Sequence, residues 1–280
     1  MSGISPFLLS EIGKLKMEIF GYIASVLIGI SLGLIGGGGS ILTVPVLVYL
    51  FGIEAITATE YSLFIVGISS TAGALSYFKR NLINFKIVLI FGIPSVISIF
   101  LTRIYITPLI PEVLFNTGTF SFSRNIFLML IFAALMIFAS YSMIRKNTDT
   151  EPKEYPSKKN NILLTVGQGS IVGILTGLVG AGGGFMIIPA LTGLFRTSMK
   201  VAIGTSLVII SLNSLIGFLS SMNHTKIDWT LLLTISLIAV AGITIGSQIS
   251  KKIDGKKLKP AFGWFILIMG IYIIIKEIVL

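Results

Sequence analysis

Four consecutive glycines, Gly36 to Gly39, stand in one of the most apolar parts of the chain, in "GLIGGGGSILTVP" (33–45). Glycine weakens a helix interior by about 1 kcal/mol relative to alanine, so a run of four predicts a break. A short helix restarting near Ser40 has amide N–H groups without partners inside the helix, and these carry partial positive charge. Such a terminus suits an anion, and glycine lets an oxyanion approach the backbone closely. The stretch recurs as "GLVGAGGGFMIIP" (177–189), with a restart near Phe185. The candidate anion-binding set is therefore Gly36, Gly37, Gly38, Gly39, Ser40 and Thr43, with Gly180, Gly182, Gly183 and Gly184 in the second stretch. No Lys-Ser/Thr pair follows the glycines, which excludes a phosphate-binding P-loop. The alternative reading of Gly33, Gly36, Gly177 and Gly180 is close packing of helix backbones.

The elements that must hold these turns are membrane helices. The chain has 280 residues, 54% hydrophobic and 11% charged, with mean hydropathy +0.97. A soluble domain carries about 25% charged residues, so this chain reads as an all-α polytopic membrane protein in a lipid bilayer. Its net charge of +10 is concentrated in short loops such as "RKNTDTEPKEYPSKKNN" and "KKIDGKKLKP". That pattern fits cytoplasmic loops facing anionic headgroups. Nucleic acid is not an expected partner, because no aromatic residues interleave with the charges. With no cysteine and one histidine, His224, disulfides, thiol chemistry and a histidine-cluster metal site are excluded. Residues 1–18 lack the pattern of a cleaved signal and read as an N-terminal extension. No cofactor is expected.

The two glycine stretches are offset by 177 − 33 = 144 positions, and the register continues downstream. Ser62-Leu63 falls on Ser206-Leu207, Gly73 on Gly217, and "INF" (83–85) on "IDW" (227–229). The chain thus divides into a first transmembrane repeat (19–144), a basic linker (145–161) and a second repeat (162–280). Each repeat parses into five apolar stretches: 19–36, 40–52, 58–78, 86–106 and 124–144, then 162–180, 185–195, 201–221, 229–250 and 260–278. The second stretch of each is too short to span: a dozen residues reach about 18 Å, against a core of ~30 Å. Each repeat is thus a glycine-broken helix pair, either a re-entrant hairpin or two separate spans, plus three spanning helices. With the linker cytoplasmic, the basic loop after residue 250 belongs on the same side. An even number of crossings must then separate them, which rules out one interrupted span. Each repeat crosses an odd number of times, so the two run in opposite directions. This is the inverted repeat of secondary transporters, in which paired helix termini converge near the midplane. Pro45 and Pro189 sit near the starts of the short helices, where a missing N–H costs little.

The doubled glycine stretch, the "GTSL" at 204–207 and the "IDW" loop resemble the TauE/SafE family of membrane permeases, over nearly the whole chain. The resemblance implies a cell-membrane protein that exports small organosulfur or sulfur-oxyanion substrates, such as sulfite, sulfoacetate or related sulfonates. This chain departs from the pattern at Glu60-Tyr61, where the second repeat has Gly204-Thr205, and in a loop over 107–123 with no counterpart.

Other polar residues fall within the apolar stretches. Glu60 is an ionisable group at membrane depth, a candidate for proton coupling or a headgroup-level acid at a helix start. Arg103 offers a planar fork of donors to a sulfonate, or snorkels to the headgroups. Ser62, Thr205 and Ser206 line a site or bond to carbonyls of their own helices. Asn213, Ser69 and Gln168 read as interhelical hydrogen-bonders. Asp228 and Trp229 read as a helix cap and an interfacial anchor. The expected partners are a small anionic substrate and, for coupling, protons. A permease for another small ligand, including a metal cation held by unwound carbonyls, is the second reading. The spans contain no Ser/His, paired-Asp or metal arrangement for catalysis, so an enzyme is not expected.

Overall fold

The computed structural model describes residues 6–116, 121–144, 162–180, 182–195, 197–222, 227–250 and 255–279. The linker 145–161, Arg196, His224 and Lys226 lie outside the described residues. The first half contains α1 (Pro6–Ile35), α2 (Gly38–Tyr49), α3 (Ala55–Phe78), α4 (Phe85–Leu109) and α5 (Arg124–Ile144). The second contains α6 (Ile162–Val179), α7 (Gly184–Leu194), α8 (Met199–Ser221), α9 (Trp229–Ile249) and α10 (Gly255–Val279). A hairpin of β1 (Val113–Asn116) and β2 (Ser121–Ser123) occupies the loop that lacks a counterpart.

Among the described residues six helices, α3, α4, α5, α6, α8 and α9, are long and apolar enough to cross a membrane. Large apolar side chains such as Phe20, Phe138, Leu163 and Leu237 point outward. In water such an exterior would aggregate, and in lipid it is solvated. The chain is thus an all-α polytopic membrane protein. Three boundaries differ from the sequence reading. α1 extends back to Pro6, so residue 18 falls inside a helix. α4 continues past 106 to Leu109. Pro45 lies seven residues into α2 and Pro189 five into α7, inside these helices rather than in their first turns.

The contacts distinguish a hairpin from two independent spans. Gly39 packs against the backbone of Ile28, and Gly21 against Phe51. The Tyr22 and Phe51 rings meet edge to face at 5.5 Å. α2 therefore folds back along α1, with the break at Gly36-Gly37 as its tip.

The halves meet in matched pairs. Gly29 of α1 packs on the Ala239 carbonyl of α9, and Gly173 of α6 on the Ser95 carbonyl of α4. Gly33 meets Ile243, and Gly177 meets Ile99. Each residue in the second pair of a set lies 144 positions from its counterpart in the first. Helices α1 and α9 run parallel, as do α4 and α6. Between them α3 and α8 cross antiparallel, Gly73 against Leu207 and Gly217 against Leu63. Glycine serves these seams because carbonyls approach where a Cβ would stand, so the packing reading holds for Gly33 and Gly177.

Asp228 caps α9 as its sequence suggested: its side chain accepts from the Leu231 N–H at 3.1 Å, and its own N–H donates to the Tyr61 hydroxyl at 2.6 Å. Asp228→Ala is expected to lower stability by about 1 kcal/mol, measured as an earlier thermal unfolding transition of the purified protein. Trp229 packs its ring against Phe64 and Phe218 with one face outward, as an interfacial anchor would.

Candidate functional site

α1 ends where the Gly36 N–H donates to the Leu32 carbonyl at 2.7 Å, with φ +76° at Gly36. α6 ends in the same way, with Gly180 donating to Thr176 at 2.8 Å and φ +72°. Left-handed backbone stops a helix and is nearly free of strain only for glycine. The turns then touch. A Cβ on Gly37 would overlap the Gly184 backbone, and one on Gly184 would overlap the Cα of Gly37. Gly182 packs on Val66, Ile210 and Ser214, at mid-length of α3 and α8. Two helix starts, at Gly38 and Gly184, are thereby brought together at the centre of the bundle.

The hydroxyls around the turns have distinct roles. Ser40 donates to the Gly37 carbonyl at 2.7 Å, and Thr43 to the Gly39 carbonyl at 3.0 Å. Ser206 reaches the Ile203 carbonyl at 2.8 Å and the Gly36 carbonyl at 3.2 Å, tying α8 to the first turn. Its counterpart Ser62 is buried with no hydrogen-bond partner among the described residues. Thr205 accepts from the Asn84 N–H at 3.0 Å, which engages it in the α3–α4 loop rather than at the turns. Asn213 bridges helices as expected, donating to Ser95 at 2.7 Å. Ser69 instead bonds to the Ile65 carbonyl of its own helix, and the Gln168 carbonyl oxygen has no partner among the described residues.

The two charged residues are enclosed by protein. Arg103 is 1% exposed and Glu60 5%. None of the three Arg103 nitrogens has a hydrogen-bond partner among the described residues. Glu60 lies within electrostatic reach of the guanidinium. Their neighbours in sequence reach the second glycine stretch: Thr59 packs on Gly180, and Thr102 packs on Gly177. Thr102 to Ile106 form a π-helical turn of α4, a geometry that recurs at functional sites.

A buried guanidinium without hydrogen bonds costs several kcal/mol of desolvation. Buried hydroxyls without partners add to that cost. Thr102, Thr176 and Ser214 are such groups, and all three pack against glycines of the second stretch or its approach: Gly177, Gly183 and Gly182 respectively. The sequence reading missed these three, because an isolated Ser or Thr on an apolar helix carries no periodic signal. Among the described residues, no three metal-ligating side chains stand together.

Comparison with known proteins agrees with this architecture. The family described as sulfite exporter TauE/SafE matches residues 22–273. A probable membrane transporter protein of Xylella fastidiosa is 27% identical over 254 residues, covering 89% of this chain and 91% of the relative. The probable membrane transporter protein YunE of Bacillus subtilis is 29% identical over 266 residues, covering 88% and 93%. A probable membrane transporter protein of Methanocaldococcus jannaschii is 26% identical over 269 residues, covering 90% and 94%. No solved structure matches the chain at a significant level. The paired glycine turns, the apolar helices and the family match over most of the chain lead to one conclusion: the chain belongs to the TauE/SafE family of membrane transporters.

Proposed function

We propose that the protein exports a small organosulfur or sulfur-oxyanion, such as sulfite or sulfoacetate, by alternating access around a mid-membrane anion site. The observation that carries this reading is Arg103, buried next in sequence to Thr102, which packs on Gly177, with its guanidinium lacking hydrogen-bond partners among the described residues. A planar fork of charged donors matches an oxyanion, and an oxyanion would supply the missing partners. The helix starts at Gly38 and Gly184 add backbone amides, and Ser62 adds a hydroxyl.

The matched pairs of the two halves support an inverted repeat. Antiparallel crossing of the equivalent helices α3 and α8 is the arrangement such a repeat requires. Rocking one half against the other would open the site to each side in turn. The linker 145–161 faces the cytoplasm in this reading, in a cell membrane, and Glu60 takes up the coupling proton when the anion occupies Arg103.

Reconstitution into proteoliposomes tests the proposal. Flux of sulfite, sulfoacetate and longer sulfonates is measured with and without an imposed proton gradient. The expected result is saturable flux of at least one of these anions, accelerated by the gradient. Absence of flux for the whole panel, from protein shown to be folded, overturns it.

A further inference from the structure

A second feature lies away from Arg103, at the end of the bundle where α3 finishes and α8 begins. Lys79, Arg80, Lys86 and Lys200 gather at this end. A pocket of about 160 Å³ opens there, lined by Tyr77, Arg80, Leu82, Lys200 and Ser250. A water occupies about 30 Å³ of liquid, so the pocket has room for a small oxyanion and part of its hydration shell.

The lining is suited to negative charge. Among the described residues it brings together two cations, two hydroxyls and no carboxylate. Arg80 donates one N–H to Ser76 at 2.9 Å and stands 5.4 Å from the Tyr77 ring centre, which fixes the direction of its guanidinium. Lys200 is exposed and able to reach a ligand from the opposite wall. A fixed fork and a mobile point charge are complementary ways of holding an oxyanion.

The floor of the pocket faces the centre of the molecule. Tyr77 is 2% exposed, and its hydroxyl lies 3.3 Å from the Ser250 Oγ and 3.4 Å from the Gly33 carbonyl. Both distances are long for hydrogen bonds involving a hydroxyl, so these contacts are weak. Gly33 is three residues before the first glycine turn. Gly204 packs on Tyr77, and Ile203, beside it on α8, packs on Gly36. Tyr77 and one turn of α8 therefore stand between the pocket and Gly36.

We propose that this pocket is a recruitment site for the transported anion, with Arg80 and Lys200 collecting a sulfonate or sulfur oxyanion before it passes Tyr77 to the glycine turns. The proposal rests on the anion-transport reading, but it places binding at a site separate from Arg103. The same two cations would also hold the phosphate of an anionic lipid, and the experiment separates these sources.

The chain has no cysteine, so Lys200→Cys gives a single reactive thiol without background. It is labelled in proteoliposomes of neutral lipid with a membrane-impermeant anionic thiosulfonate, and sulfoacetate is the protecting ligand. The expected result is labelling from the linker side only, slowed about tenfold by saturating sulfoacetate. Aminoethylation of the same thiol, which restores an ammonium, is expected to return KM to the wild-type value. Arg80→Gln is expected to raise KM from that side about tenfold with kcat little changed, as for loss of an approach site. A labelling rate indifferent to sulfoacetate overturns the proposal. So does protection that appears only with anionic lipid in the bilayer. The labelling arm reads binding without transport, so it remains decisive even if no flux is found and the functional reading itself fails.

Discussion

Arg103→Met abolishes anion flux, and the double variant Arg103→Met, Glu60→Gln leaves the folded protein at least as stable as the wild type. Methionine keeps the apolar stem that packs inside the bundle and removes the buried guanidinium. Two charge-assisted hydrogen bonds to an oxyanion are worth about 1.5–3 kcal/mol each. Their loss lowers flux on the order of 100-fold or more. Stability moves the other way, because a buried cation without hydrogen bonds no longer has to be desolvated. Glu60 is left without its neighbouring cation, so the double variant Arg103→Met, Glu60→Gln is the cleaner stability measurement. Arg103→Lys retains the charge without the fork and is expected to keep a small part of the flux. Flux in proteoliposomes and thermal unfolding in detergent provide both readouts. Wild-type flux in Arg103→Met would remove this residue from the site.

The second large effect comes from comparing two glycines with the same backbone conformation. Gly36 and Gly52 have φ +76° and +66°. A Cβ on Gly52 meets nothing within 4 Å, whereas one on Gly36 overlaps the Ile203 side chain at 2.6 Å. Both alanine variants incur the left-handed backbone cost of about 1–2 kcal/mol. Only Gly36→Ala must also push α8 away from the first turn, and its Ser206 bond with it. Gly52→Ala is expected to express and transport near wild type, with slightly earlier unfolding. Gly36→Ala is expected to lose flux altogether, with unfolding shifted by several times as much. Equal effects in the two variants would mean that backbone strain, not contact between the halves, explains the requirement for glycine at position 36.

Much of this architecture was legible in the chain. The 144-residue offset, the short second stretch of each repeat and the crossing parity pointed to paired glycine-broken helices. The structure makes the first of these a hairpin, because Gly39 and Phe51 both return to α1. The Asp228 cap and the Asn213 bridge were read from residue type and position alone. Glu60 and Arg103 were recognised as charges at membrane depth, but two roles remained open for each. A side chain near the end of an apolar stretch can reach the headgroups or turn inward, and the stretch reads the same in both cases.

What the sequence by itself determined follows from local chemistry: too little charge for a soluble surface, glycines where helices must stop, and a register shared by two halves. These properties depend on composition and spacing, which need no partner. The tertiary structure decided which glycines close seams and which form turns: Gly33 stays helical against α9, while Gly36 takes φ +76° against α8. It also decided that the two turns touch each other, that Arg103 is enclosed, and that Arg80 and Lys200 share a pocket. Those outcomes depend on contacts between residues tens to more than a hundred positions apart, and no periodicity along a single helix encodes them.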